Sequence, residues 1–147
     1  MPPKDNLLIR FIWKLHLWIY MWSGGRLGAR LLDMPVLLLY TVGRRTQRRR
    51  VNAISYRRDG VNFVIAASNG GADVHPGWRF NLLAEPHAQI QIGKIMLSVL
   101  AREEKGDERR RLWEDFKNME AAYQRYEKKT DRLIPIIILE PVKDKSP

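Results

Sequence analysis

The 147-residue chain contains no cysteine. That absence excludes disulfides, thiolate metal sites and cysteine nucleophiles together, and it fits a cytoplasmic protein. Acidic residues are scarce in one part of the chain. Residues 1–58 hold only Asp5 and Asp33 against 12 basic residues, whereas residues 59–147 hold 14 of each sign. The whole net charge of +10 therefore arises before residue 59. A localised positive field attracts an anionic partner, which leaves nucleic acid, an anionic membrane surface, or a phosphate- or carboxylate-rich ligand open. An apolar run long enough to span a bilayer is also missing. Leu7 to Trp22 is 16 residues with Arg10 and Lys14 inside it, short of the roughly 20 a spanning helix needs. No small-residue cleavage site follows it, which argues against a signal peptide. His16, His75 and His87 lack metal-ligand spacing, so no metal site is expected. No motif for Ser-His-Asp chemistry is present.

What is present reads as one domain of α+β class behind a separate N-terminal segment. Hydrophobic content of 45% supports a packed core. Residues 1–24 form an amphipathic helix rich in tryptophan and tyrosine, suited to a membrane interface or to packing on its own domain or a second subunit. Residues 25–147 form the main domain. Val36 to Val42 and Val51 to Arg58 read as strands, and Asp59-Gly60 as a hairpin turn leading to Val61–Ser68. Pro76 opens a short helix that Pro86 closes. Ala88–Ile92 and Ile95–Ala101 alternate about the turn Gly93-Lys94. Asp107 to Lys129 reads as a single helix with Leu112, Trp113, Phe116, Met119, Tyr123 and Tyr126 on one stripe. Ile136–Leu139 is a last strand. About six strands and three helices, mostly antiparallel, imply a small closed barrel.

Two segments carry chemistry. Gly43-Arg44-Arg45-Thr46-Gln47-Arg48-Arg49-Arg50 joins two strands, and guanidinium forks recognise phosphate and carboxylate at two points. A solvated basic turn and a nucleic-acid contact remain alternatives, although no aromatics interleave as stacking platforms. Ser68-Asn69-Gly70-Gly71 leaves a strand ahead of the Pro76 helix, where backbone approaches a ligand closely. His75 sits where a helix cap belongs, and capping is favoured over catalysis. Tyr123 and Tyr126 share a helix face; core packing is their default, with a pocket edge as the alternative.

The turn Thr41-Val42-Gly43-Arg44-Arg45-Thr46, the loop Ala67-Ser68-Asn69-Gly70-Gly71 with His75-Pro76-Gly77-Trp78 after it, and the ending Thr130-Asp131-Arg132-Leu133-Ile134-Pro135 recur in an order that resembles the deazaflavin (F420)-dependent nitroreductase and F420H2-dependent quinone reductase family. The resemblance spans Pro35 to Pro141, roughly 107 residues. It implies an FMN-binding-like split β-barrel and coenzyme F420 as cofactor, ahead of FMN. By family analogy Arg44, Arg45, Thr46, Arg50, Val51 and Asn52 line the phosphate and polyglutamate tail. Ala66, Ala67, Ser68 and Asn69 run beside the deazaflavin ring, and Gly77, Trp78, Asn81 and Tyr123 complete the pocket. Ser68, Tyr123 and Tyr126 are the expected catalytic residues, donating to a substrate oxygen as it gains charge.

The expected activity is hydride transfer from reduced F420 to a menaquinone-like or other conjugated or nitro acceptor, at the inner face of the cell membrane. A nucleic-acid-binding module and a deazaflavin carrier without turnover are the alternatives, nucleic acid being the weaker partner. A homodimer is compatible with the sequence. The family's Gly-Gln-Pro in the basic turn is Gln47-Arg48-Arg49 here. A family lysine is Asn69, and two family tyrosines are Ser55 and Glu120. Reduction of bicyclic nitroimidazoles is therefore not implied.

Overall fold

The computed structural model describes residues 34–143 together with residues 15, 30 and 31. The expected helix Leu7–Trp22, and with it the boundary drawn at residue 24, lies outside the described residues apart from Leu15. Among the described residues no helix is long and apolar enough to cross a membrane.

Strands β1 (Arg30–Leu31), β2 (Met34–Val42), β3 (Arg49–Ser55), β4 (Arg57–Asp59) and β5 (Asn62–Ala66) come first. They are followed by α1 (Gly77–Ala84), β6 (His87–Ile92) and β7 (Ile95–Glu104). Last come α2 (Gly106–Met119), α3 (Ala121–Lys129) and β8 (Ile136–Pro141). Apart from the short β1, the strands form one antiparallel sheet in the order β3-β2-β6-β7-β8-β5-β4. Its two ends, β3 and β4, are consecutive in the chain. The sheet therefore curls on itself as a half-open barrel, which leaves few exposed edges.

Two apolar layers follow from the alternation of side chains along each strand. Leu37, Leu39, Ile65, Ile90, Val99 and Leu139 point into the barrel, where Trp78 and Leu82 of α1 join them. Val64, Ala66, Ile136 and Ile138 point outward and are covered by Leu112, Trp113, Phe116 and Tyr123 of α2 and α3. This explains why β8 begins with an unbroken Ile-Ile-Ile-Leu: both faces are buried, so alternation with polar residues would place polar groups in a core.

The fold differs from the sequence expectation in three places. The long helix expected over 107–129 is two helices, because Glu120 is extended (φ −147°, ψ 122°). Its carboxylate accepts from Ala122 N and caps α3. A straight helix of that length would run about 35 Å; the break lets both halves bury aromatics on the same sheet. The strand expected over Val51–Arg58 divides at Tyr56, whose N–H donates to Pro35 O; this division and the short β1 bring the strands among the described residues to eight, where about six were expected. His75 does not cap α1: that position is Pro76, and no side chain caps the helix.

Candidate functional site

The basic turn is closed by Gly43 N–H donating to Arg48 O and Gln47 N–H donating to Gly43 O, both 2.8 Å. Gln47 takes the left-handed conformation (φ 59°). A Cβ at Gly43 would lie 2.8 Å from Thr46 Oγ1 and 3.2 Å from Arg48 O, so any larger residue would have to displace Thr46 at the crowded neck of the turn. Register then divides its arginines. Arg50 and Asn52 sit opposite Thr41 and Leu39, on the barrel side of the sheet, whereas Arg49 and Val51 sit opposite Val42 and Tyr40 on the outer side. Arg49 accordingly lies over the Tyr40 ring and donates to Gln89 Oε1.

Arg44 ties the turn to α1. Its N–H and Nη1 both donate to Asn81 Oδ1 (3.1 and 3.3 Å), and Nη1 reaches Gly77 O at 3.5 Å. Buried Asn81 in turn donates to Thr41 Oγ1. One side chain thereby locks strand, turn and helix together. Among the described residues none of Arg44, Arg45, Arg48, Arg49 and Arg50 meets a carboxylate at ion-pair distance.

The second half of the site is the loop after β5. The side chains of Ala66 and Ala67 are buried in opposite layers, so Ser68 and Asn69 are the first to reach solvent. Asn69 is left-handed (φ 48°); its Nδ2 donates to Val74 O, while its buried Oδ1 has no partner. At Gly71 (φ 80°) a Cβ would strike Tyr126 Cα at 2.9 Å, so glycine here permits α3 to press on the loop.

Tyr123 is 7% exposed. Its ring stands edge-on to Trp113, Phe116 and Tyr126. Burial, and then Tyr126, push the Tyr123 phenol well above its usual pKa, a hydrogen bond with Ser55 opposing the shift. This tyrosine therefore stays protonated and serves as a donor, never as a base. The serine that stands in place of a family tyrosine is its partner.

A groove of about 680 Å³ opens elsewhere, on the outer face of β2, β6 and β7. Tyr40, Arg49, Gln89 and Ser98 help to line it, and no residue of the Ala66–Gly71 loop does.

Comparison with known proteins decides the family. Residues 12–141 match the family described as F420H(2)-dependent quinone reductase. The chain belongs to this F420H(2)-dependent quinone reductase family. The F420H(2)-dependent quinone reductase Rv1261c of Mycobacterium tuberculosis is 36% identical over 130 residues, 86% of this chain and 87% of its own length. A solved structure of an F420-H2 dependent reductase (FDR-A) is similar with a TM-score of 0.67 and 35% identity, covering 76% of this chain and 98% of that one. A solved domain-swapped dimer is similar with a TM-score of 0.69 and 32% identity, covering 89% and 99%. More distant likeness, at 14% identity and TM-score 0.53, to a Listeria innocua protein described as a pyridoxamine 5'-phosphate oxidase shows the fold alone. The expected split barrel, oxidoreductase class, F420 cofactor and quinone acceptor are those of the F420H(2)-dependent quinone reductases.

Within this family frame, the structure brings Arg44, Gly77 and Asn81 together directly. It sets Tyr126 against Gly71. It sends Val51 to the outer face, and it buries Trp78 within the barrel at 4% exposure. Sequence reasoning assigned no role to Arg132. Its guanidinium donates to Ala67 O, Ser68 O and Ala72 O at 3.2, 2.8 and 2.8 Å and reaches His75 Nδ1 at 3.0 Å. The signal was its place in Thr130-Asp131-Arg132, a segment whose recurrence identified the family without saying what it holds.

Proposed function

We propose that the arginine turn holds the phosphate and polyglutamate tail of F420, and that Ser68, Asn69 and α3 border the ring and the quinone. The observation that carries this reading is the set of five arginines that meet no carboxylate among the described residues, on a turn fixed to α1 through Arg44 and Asn81. Unpaired guanidinium groups on a stiff turn suit a ligand with several negative charges. The buried, partnerless Asn69 Oδ1 fits a ligand N–H, since an acceptor left unpaired away from water carries a penalty that binding removes.

Reduced F420 supplies the hydride when bound, since carbon at the central ring position favours two-electron chemistry. The residues of this chain bind, orient and exclude water. Arg44, Arg45, Thr46 and Arg50 grip the anionic end, with Asn52 beside Arg50 on the barrel face and Val51 contributing through its backbone. Gly77 and Asn81 keep Arg44 in place, and Trp78 supports them from below. Ala66 and Ala67 anchor the loop in the two cores. The Ser68 hydroxyl, without a hydrogen-bond partner among the described residues, donates to the quinone oxygen as it gains charge. Tyr126 borders the same space, while Tyr123, held protonated, orients it from behind.

Titrating full-length protein with reduced F420 while following coenzyme fluorescence tests the binding. Saturation at micromolar concentration and steady oxidation on adding a menaquinone analogue are expected; saturable binding without turnover would make the protein a carrier. Residues 1–24 further support attachment to an anionic membrane surface, given four aromatics in Trp13–Trp22 and the adjoining positive charge. Deleting residues 1–24 should abolish co-sedimentation with anionic liposomes and leave coenzyme binding intact. A homodimer is also part of this reading, supported by the domain-swapped neighbour; sedimentation velocity reads it directly.

A further inference from the structure

We propose that Arg132 is a positioning residue for hydride transfer: its guanidinium aims the Ser68 loop at the reacting centre from 57 to 65 residues away in sequence. The inference rests on the reading that Ser68 and Asn69 border the ring.

The loop from Ala67 to His75 has little regular structure of its own. Its internal bonds are Gly71 N–H to Ser68 O, Ala72 N–H to Asn69 O and the Asn69 amide to Val74 O. One turn of this kind, with three consecutive positive-φ residues at Asn69, Gly70 and Gly71, does not fix its own orientation against the barrel. Arg132 provides that fixture. Nη1, Nη2 and Nε each take a different carbonyl, those of Ala67, Ser68 and Ala72. A guanidinium is planar and its five donors are rigidly arranged, so three acceptors on one fork set both the position and the tilt of the loop. Turning those carbonyls inward toward Arg132 leaves the opposite side of the loop free to face a ligand.

The arginine is itself held. Thr130 Oγ1 donates to Asp73 Oδ1 at 2.8 Å and accepts from Arg132 N–H. His75 completes the ring of acceptors, its edge against Phe80. Because guanidinium only donates, His75 Nδ1 accepts, and the imidazole is neutral with its proton on Nε2. No carboxylate bridges Arg132 among the described residues, and Asp73 is the acid whose charge it feels. Its positive charge therefore stays directly behind Ser68, where it favours an oxygen that becomes anionic on the other side of the loop.

Arg132→Lys keeps the charge but loses the three-point fork, whereas Arg132→Gln loses both. The test is single-turnover oxidation of bound reduced F420 by a menaquinone analogue in full-length protein, read beside the coenzyme Kd and the far-UV spectrum, with Ser68→Ala as reference. We expect both Arg132 variants to keep the fold and to bind coenzyme within about threefold of the parent, since the basic turn is untouched. Transfer should slow by about tenfold in Arg132→Lys and further in Arg132→Gln, in line with the cost of displacing a reacting group by an ångström. Parental transfer rates in both Arg132 variants, with Ser68→Ala slowed, would overturn the positioning role alone. Proportional loss of binding and transfer in both would overturn it too, by showing a merely structural residue. Parental rates in Ser68→Ala would instead defeat the reading of the loop on which the inference rests. Should Arg132→Gln not fold, the Kd-against-rate split in Arg132→Lys decides.

Discussion

Two sets of arginines divide this molecule. Along β4, α1, β7 and α2, Arg57, Arg79, Arg102, Arg110 and Arg111 each meet a carboxylate at 2.5 to 3.7 Å. In the turn between β2 and β3, Arg44 and Arg49 meet amides, a carbonyl and aromatic rings, and none of Arg44, Arg45, Arg48, Arg49 and Arg50 meets an acid among the described residues. The residue type is the same and the electrostatic state is opposite. A paired guanidinium has spent its field on a neighbour and gains little more than solubility. An unpaired one on a stiff turn keeps its field for something that arrives from solution.

The most damaging change should therefore fall on the unpaired set. Replacing Arg44 and Arg50 together with alanine removes two charge-assisted contacts to the coenzyme. Contacts of this kind contribute about 1.5–3 kcal/mol each, so the Kd for reduced F420 should rise about a hundredfold or more. Fluorescence titration at fixed salt checks it. A change below about fivefold would mean that the tail lies elsewhere, with the outer groove beside Arg49 the next place to look.

Next in size is the link that stiffens the turn. Asn81 is 7% exposed and joins Thr41 to Arg44. Asn81→Ala leaves a buried hydroxyl and a backbone N–H without partners, at a cost of about 1–3 kcal/mol. The urea midpoint should drop accordingly, and coenzyme affinity should drop with it. A stability loss without an affinity loss would show that the turn keeps its shape unaided.

How much of this division was legible in the sequence depends on the range of the contact. The basic turn, the hairpins at Asp59-Gly60 and Gly93-Lys94 and the alternating strands are local, and local patterning reveals them. The half-and-half placement of Arg49 and Arg50 was implicit in strand alternation, yet it needs the register with β2 to become visible. The break at Glu120 carries no glycine or proline, because it is a tertiary accommodation to the sheet. Tyr123 reads as a core residue from its stripe and proves to be one; that its phenol meets Ser55 could not be read from either position. Arg132 lies furthest from legibility. An arginine that serves backbone carbonyls some 60 residues away produces no periodicity and no charge pattern.

A smaller effect separates the two halves of the site by pH. Burial, then Arg79 and Arg132, lower the His75 pKa from its ordinary 6.5, with Glu103 opposing them. A lowered native value means that the unfolded chain binds the proton first. The stability due to neutral His75 is therefore complete above pH 6.5 and is lost as the pH falls from there through the native value. The urea midpoint should decline over that range in the parent and decline less in His75→Gln, whereas coenzyme affinity at the arginine turn should follow salt instead. Identical slopes in the two proteins would remove His75 from the loop's support.

The least effect is expected where pairing is most conspicuous. Arg111 meets Asp59, Glu108 and Asp115, and the first two raise its pKa further. It nevertheless lies on the open face of α2, with about half of its side chain in water. There, solvent screens each partner, and ordering the long side chain offsets most of what attraction remains. Arg111→Ala should leave the coenzyme Kd unchanged and move the unfolding midpoint by no more than the scatter between repeats. A clear loss of affinity in this variant would break the comparison at its root. It would mean that a paired arginine still reaches the ligand through its field, and that the missing carboxylates of the turn are not what marks the site.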